Sequence, residues 1–172
     1  MRAWNADPPL AADERTTLAA YLDYHRATLV GKVAGLTDAQ AKWSPVPSGT
    51  SLFGLVSHLT TVERWWFAKV IAGLDVAFPW REDDPDADFR GPDGATLADV
   101  VSAYEAECER SRAILADADF ETVVTGERAG RNVRYVVVHM IEETARHNGH
   151  ADLLRARRRR DGRMTRPGGA AP

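Results

Sequence analysis

Glu143 and His147 stand four residues apart in the stretch "HMIEETARHNGH", which runs from His139 to His150. In a helix that spacing puts a carboxylate and an imidazole one above the other on a single face. Such a pair supplies oxygen and nitrogen lone pairs to one divalent cation, or forms a local salt bridge, or handles protons. On a helical wheel with Glu143 at zero and about 100° per residue, His147 falls at about +40°, His150 at about −20° and His139 at about −40°. The apolar Val136, Met140 and Leu154 fall at about +20°, +60° and +20°. The polar groups, His150 included, are therefore expected on the stripe that points into the protein. A buried carboxylate with imidazoles is costly unless the groups are paired, hydrogen-bonded or ligating.

Two ligands from one helix hold an ion weakly, so a third is expected from a facing helix. His58, within "SLFGLVSHLTTVERWW", is the candidate, at the edge of the Leu55, Val62 and Trp66 stripe; His25 is a weaker one. Each residue also has an ordinary reading. A lone His58 is more often a hydrogen-bonded boundary histidine than a ligand, Glu143 also reads as a partner of Arg146 or Arg134, and His147 with His150 as surface neighbours. His139 reads as structural. Spacing alone leaves a metal site and a plain polar network both open.

The elements that must position these residues are helical. Apolar spacing predicts helices over about 12–34, 51–72, 96–117 and 133–158, with no convincing strand alternation. Asp13 and Glu14 open the first, and Thr96 is the N-cap of the third. "LTDAQAKW" adds a short turn before the prolines of "SPVPSGT". A long acidic loop, 73–95, carries Phe78, Trp80 and Phe89, so it is expected to fold back onto the helices, with a lid as the lesser alternative. The sum is an all-α, single-domain four-helix bundle over residues 10–158 with long crossover loops, and a disordered tail over 159–172.

Composition narrows the function classes. At 172 residues, 44% apolar and 27% charged, the chain has the make-up of one ordinary globular domain. A net charge of −3 argues against nucleic acid or an anionic membrane as the main partner. The basic run Arg155–Arg160 is expected to be a solvated helix end that complements the dipole. No apolar run is long enough to span a membrane, and the first residues carry no apolar signal region. The single cysteine, Cys108, excludes an intrachain disulfide framework and fits a reducing compartment, with the cytoplasm as the default. Of the 22 basic residues 19 are arginine, a coding signature of GC-rich bacterial genomes.

The segments "KWSPVPSGTSLFGLVSHLTTVERWWF" and "VVHMIEETARHNGHADLLR" resemble the DinB-like superfamily, in particular its DUF664 branch of bacterial mini-circle proteins. The resemblance spans about residues 10–155. It implies a four-helix bundle binding a divalent metal through one side chain of the second helix and two of the fourth. Carried over, the ligands are His58, Glu143 and His147. The commonest form of the site has three histidines, so Glu143 is a departure. It matches the two-histidine, one-glutamate set of the mycothiol-dependent maleylpyruvate isomerase branch. On other folds that set is associated with non-haem iron. The resemblance implies zinc first, nickel or iron otherwise, with mycothiol as the thiol cosubstrate in an actinobacterial setting. It also implies a thiol S-transferase or isomerase acting on a small electrophile, a homodimer, and His150 as a catalytic or ligand-orienting group. A non-catalytic metal-binding stress protein and a purely structural bundle are the alternatives.

Overall fold

Helix α1, Glu14–Val33, starts where Asp13 accepts a hydrogen bond from the Thr16 amide at 2.9 Å. Side-chain caps of this kind satisfy amides that have no partner inside the helix. The computed structural model describes residues 7–160. A capping box of Thr37 and Gln40 opens the short α2, Asp38–Lys42. Ser51 caps α3, Leu52–Glu63, which runs directly into a π-helical stretch, Arg64–Ile71. Thr96 and Asp99 form the capping box of α4, Leu97–Asp117. Asn132 receives the Tyr135 amide at 2.9 Å at the start of α5, Val133–Arg160.

The helices pair as α1 with α5 and α3 with α4, and α3 also touches α1 and α5. The protein is thus an all-α bundle, as its apolar spacing predicts, with α2 as a short addition packed on α3. Leu22, Leu29, Leu55, Leu59, Phe67, Tyr104, Val136 and Met140 fill the centre. Each large apolar side chain buried there contributes about 1.5–3 kcal/mol. One charged pair shares this interior. Arg26 of α1 donates from Nε and Nη2 to the two Glu63 oxygens at 2.8 and 2.6 Å, and from Nη1 to Asp23 at 2.9 Å. Arg26 is 3% exposed and Glu63 0%. Cys108 and Tyr104 lie beside the pair; burial pushes the Cys108 thiol up to about 12, and Glu63's charge adds to the shift.

Loop 73–95 folds back onto the helices. Phe78 and Trp80 pack on Trp65 at ring distances of 5.2 and 5.5 Å, and Phe89 stacks on His58 at 4.0 Å. Two glycines let the backbone come this close. A Cβ on Gly54 would lie 2.4 Å from the Phe89 carbonyl oxygen, and one on Gly91, which has φ +66°, would lie 2.7 Å from the Phe53 ring.

Three expectations are corrected. Leu18, Tyr21, Leu22, His25, Leu29 and Val33 are spaced for one face of α1, which predicts Tyr21 inside; Tyr21 is exposed, and that face instead buries Arg26. The basic run at the end of α5 is not simply solvated. Arg155 donates to the Lys32 carbonyl and Arg158, 2% exposed, to the Gln40 carbonyl, so both side chains fold back onto the α1–α2 region. The helix also continues through Arg160 instead of ending at 158; the rest of the expected tail, 161–172, lies outside the described residues.

Candidate metal centre

His58 sits in the middle of α3, and Glu143 and His147 sit one turn apart on α5. The three offer ligand atoms that all lie within 4.8 Å of one another. Glu143 Oε1 is the point of convergence: His147 Nε2 is 3.2 Å away and His58 Nε2 is 3.8 Å away. The other carboxylate oxygen, Oε2, accepts from Arg146 Nη1 at 3.2 Å. Each imidazole is anchored through its remaining nitrogen. His58 Nδ1 donates to Asp88 Oδ2 at 2.7 Å, which frees Nε2, on the Glu143 side, to hold a proton or to ligate a cation. His147 Nδ1 lies 3.3 Å from His150 Nδ1.

Asp88 is 1% exposed and its Oδ1 has no hydrogen-bond partner. A buried carboxylate held so close to a ring N–H is a strong orienting device. The titration of the groups follows the geometry. Burial pulls the His58 pKa down, but hydrogen bonds to Asp88 and Glu143 outweigh it and the net shift is upward. Hydrogen bonds from His147 and His58 hold the Glu143 carboxyl well below the usual carboxylate range, against the effect of burial, and Arg146 adds to this.

The residues fit a divalent cation. Two imidazole nitrogens and one carboxylate oxygen are a donor set for zinc and its neighbours. Donors held at about 2.0–2.2 Å from a shared ion lie within about 4.4 Å of one another, so a small side-chain rotation closes the 4.8 Å span seen here. Asp88 and His150 are the outer partners that such imidazole ligands usually have.

A family model described as mycothiol S-transferase matches residues 17–159, which include both helices of the site. The chain belongs to the mycothiol S-transferase family. A search of curated proteins finds no match.

In this mycothiol S-transferase family member, the other histidines take different places. His150 is exposed, contrary to the wheel expectation, although its ring touches that of His147 at a centroid distance of 5.2 Å. The reason is an offset in the buried stripe of α5. It is centred on Met140, Thr144, His147 and Ala151, about 60° round from Glu143. Glu143 lies on one flank of that stripe and His150 lies beyond it. His139 packs against Trp66 at 4.7 Å and Tyr135 at 6.3 Å. His25 packs against Tyr24 and stays outside the cluster. Arg134 pairs with Glu14 and Glu121, and Arg64 with Glu107, so neither reaches Glu143.

Asp88 and Phe89 are the site residues missed by sequence reasoning. They lie in a 3₁₀ turn, Ala87–Phe89, inside the acidic loop. The aromatic residues of that loop signalled that it packs inward; nothing in "REDDPDADF" singles out Asp88 among its neighbours.

Proposed function

We propose that this protein is a metal-dependent S-transferase that joins a low-molecular-weight thiol of the mycothiol type to a small electrophile. The carrying observation is the convergence of His58 Nε2 and His147 Nε2 on Glu143 Oε1 in a member of this family. We assign His58, Glu143 and His147 as the ligands and zinc as the cation, ahead of nickel or iron. A divalent cation bound there supplies the positive charge that favours the thiolate form of an incoming thiol near neutral pH.

The chain's own residues do the rest. Asp88 keeps the His58 proton on Nδ1 and so keeps Nε2 available. With a cation on Nε2, His147 carries its proton on Nδ1 and donates it to His150, which holds the ring in that orientation. The exposure of His150 also suits it to pass a proton to solvent, so His150 acts through His147 as a positioning residue and proton outlet. Arg146 balances the carboxylate and fixes its second oxygen. The reaction forms one carbon–sulfur bond and releases the thiol proton and, where the electrophile carries one, its leaving group. Among the described residues no helix is long and apolar enough to cross a membrane. The lone buried Cys108 suits a reducing cytoplasm where such thiols are abundant. We further propose a homodimer, which sedimentation of the full chain tests.

Elemental analysis of natively purified protein should find about one equivalent of zinc per chain. Thiol consumption with a bimane or epoxide electrophile should require that metal and disappear in His58→Ala. Persistence of turnover in that variant would sink the mechanism.

A further inference from the structure

A cleft of about 470 Å³ opens beside Glu143, between the π-helical stretch and the start of α5. Its walls are Trp65, Trp66, Trp80 and Tyr135, with Arg128 and Arg131 at the rim. The π-helical stretch contributes Trp65 and Trp66 together, and such stretches recur at functional sites. Aromatic walls with a few placed polar groups are the usual make-up of a small-molecule site.

The two arginines differ from most others among the described residues. Arg26, Arg64, Arg110, Arg112, Arg134 and Arg146 all engage carboxylates. Arg128 and Arg131 engage none among the described side chains. Their guanidinium carbons sit over aromatic rings, Arg128 over Trp66 at 5.5 Å and Arg131 over Tyr135 at 5.3 Å. Arg131 spends one donor on the Arg128 carbonyl, at 3.5 Å. Guanidiniums held by ring contacts keep their forked donors available for a planar anion. The one carboxylate of the cleft wall, Glu143, is already held by Arg146 and the two imidazoles.

We propose that this cleft binds the electrophile and selects one with a carboxylate on an apolar or aromatic body. The rings take the body, and Arg128 and Arg131 take the carboxylate by charge-assisted hydrogen bonds. The reacting carbon then lies on the Glu143 side. The word electrophile rests on the thiol-transfer reading; the selection of an anion rests on the cleft alone.

The test is a tryptophan-fluorescence titration of the metal-loaded full chain with 3-phenylpropionate and its neutral amide, 3-phenylpropionamide. The acid should bind at least about tenfold more tightly than the amide, as expected of charged over neutral hydrogen bonding. In Arg128→Gln/Arg131→Gln the preference should fall below about twofold, whereas Arg128→Lys/Arg131→Lys should keep part of it by retaining charge. Arg110→Gln, on another face, should leave it intact. Equal binding of acid and amide, or a preference unchanged in the double glutamine variant, would overturn the proposal. So would tighter binding of a neutral glycoside than of the acid. Turnover separates the two readings. The kcat/KM ratio of carboxylated to neutral electrophile should fall about tenfold in the double glutamine variant. If wild-type protein consumes no thiol with any electrophile, the thiol-transfer reading fails while the acid-over-amide titration still decides the cleft.

Discussion

Two polar clusters lie inside this bundle and handle charge in opposite ways. The first is Arg26 with Glu63, joined by two parallel hydrogen bonds of 2.8 and 2.6 Å. A guanidinium and a carboxylate neutralise each other, and their donors and acceptors match. The second is His58, Glu143 and His147, where every inward-facing atom can present a lone pair. Arg146 takes the outer oxygen of Glu143, but the positive partner of the three converging atoms has to come as a proton or a metal ion. Residue classes are similar in the two clusters, so polarity inside a helix bundle does not by itself mark a functional site. What marks one is a set of acceptors that converge without a built-in cation.

The largest expected effect breaks the first cluster. Arg26→Met leaves Glu63 buried without its cation, and loss of one partner of a buried pair costs about 3–5 kcal/mol. Urea unfolding of the metal-free protein should show this loss, and Arg26→Met/Glu63→Leu should recover most of it. Zinc affinity should stay within about twofold in the double variant, because neither residue touches His58 or Glu143. A large loss of zinc affinity there would mean that the two clusters are not independent.

Next in size is the response to metal. Ligand that binds only the folded state adds about 2.7 kcal/mol at a hundredfold excess over Kd and about 4.1 at a thousandfold. Chelation should therefore lower the unfolding midpoint of wild-type protein, and added zinc should restore it in a concentration-dependent way. His147→Ala should remove the response. An equal zinc response in that variant would place binding elsewhere.

A smaller effect concerns the device that aims His58. Asp88→Asn keeps the size of the side chain but replaces a charged acceptor at 2.7 Å with a neutral amide. Loss of such an outer partner typically costs about 10- to 100-fold in metal affinity. Competition against a chromophoric chelator measures it. The metal-free stability should change less, since the amide oxygen can still accept from His58 Nδ1. Unchanged zinc affinity would reduce Asp88 to a packing role.

The two clusters also differ in how far the sequence revealed them. Glu143 and His147 announce themselves by an i, i+4 spacing beside Met140 and Thr144, and His58 sits at the margin of a clear apolar stripe. Arg26 gives no such sign. Flanked by His25 and Ala27 it reads as a surface arginine, and its partner is 37 residues away on another helix. Asp88 is hidden for a related reason: its burial depends on the loop's close approach at Gly54 and Gly91, which is a tertiary fact. The helices themselves are legible because apolar periodicity and capping residues act locally. The π-helical stretch after Glu63 is not, because Trp65, Trp66 and Phe67 satisfy an ordinary helical spacing as well.

The smallest expected effect separates the two anchors of the imidazoles. Asp88 is buried, so no water can replace its oxygen when it is altered. His150 is exposed, and a water can take over the 3.3 Å contact to His147 Nδ1. Bridging water costs about 0–2 kcal/mol and is usually nearly as good as the direct bond. His150→Ala should therefore lower zinc affinity by less than about tenfold, clearly less than Asp88→Asn. If His150 carries a proton outward, turnover should fall by more than affinity does, and added imidazole should restore part of it. A drop in zinc affinity as large as that of Asp88→Asn would show that the exposed anchor fixes the site as firmly as the buried one. The contrast between the two anchors would then owe nothing to burial.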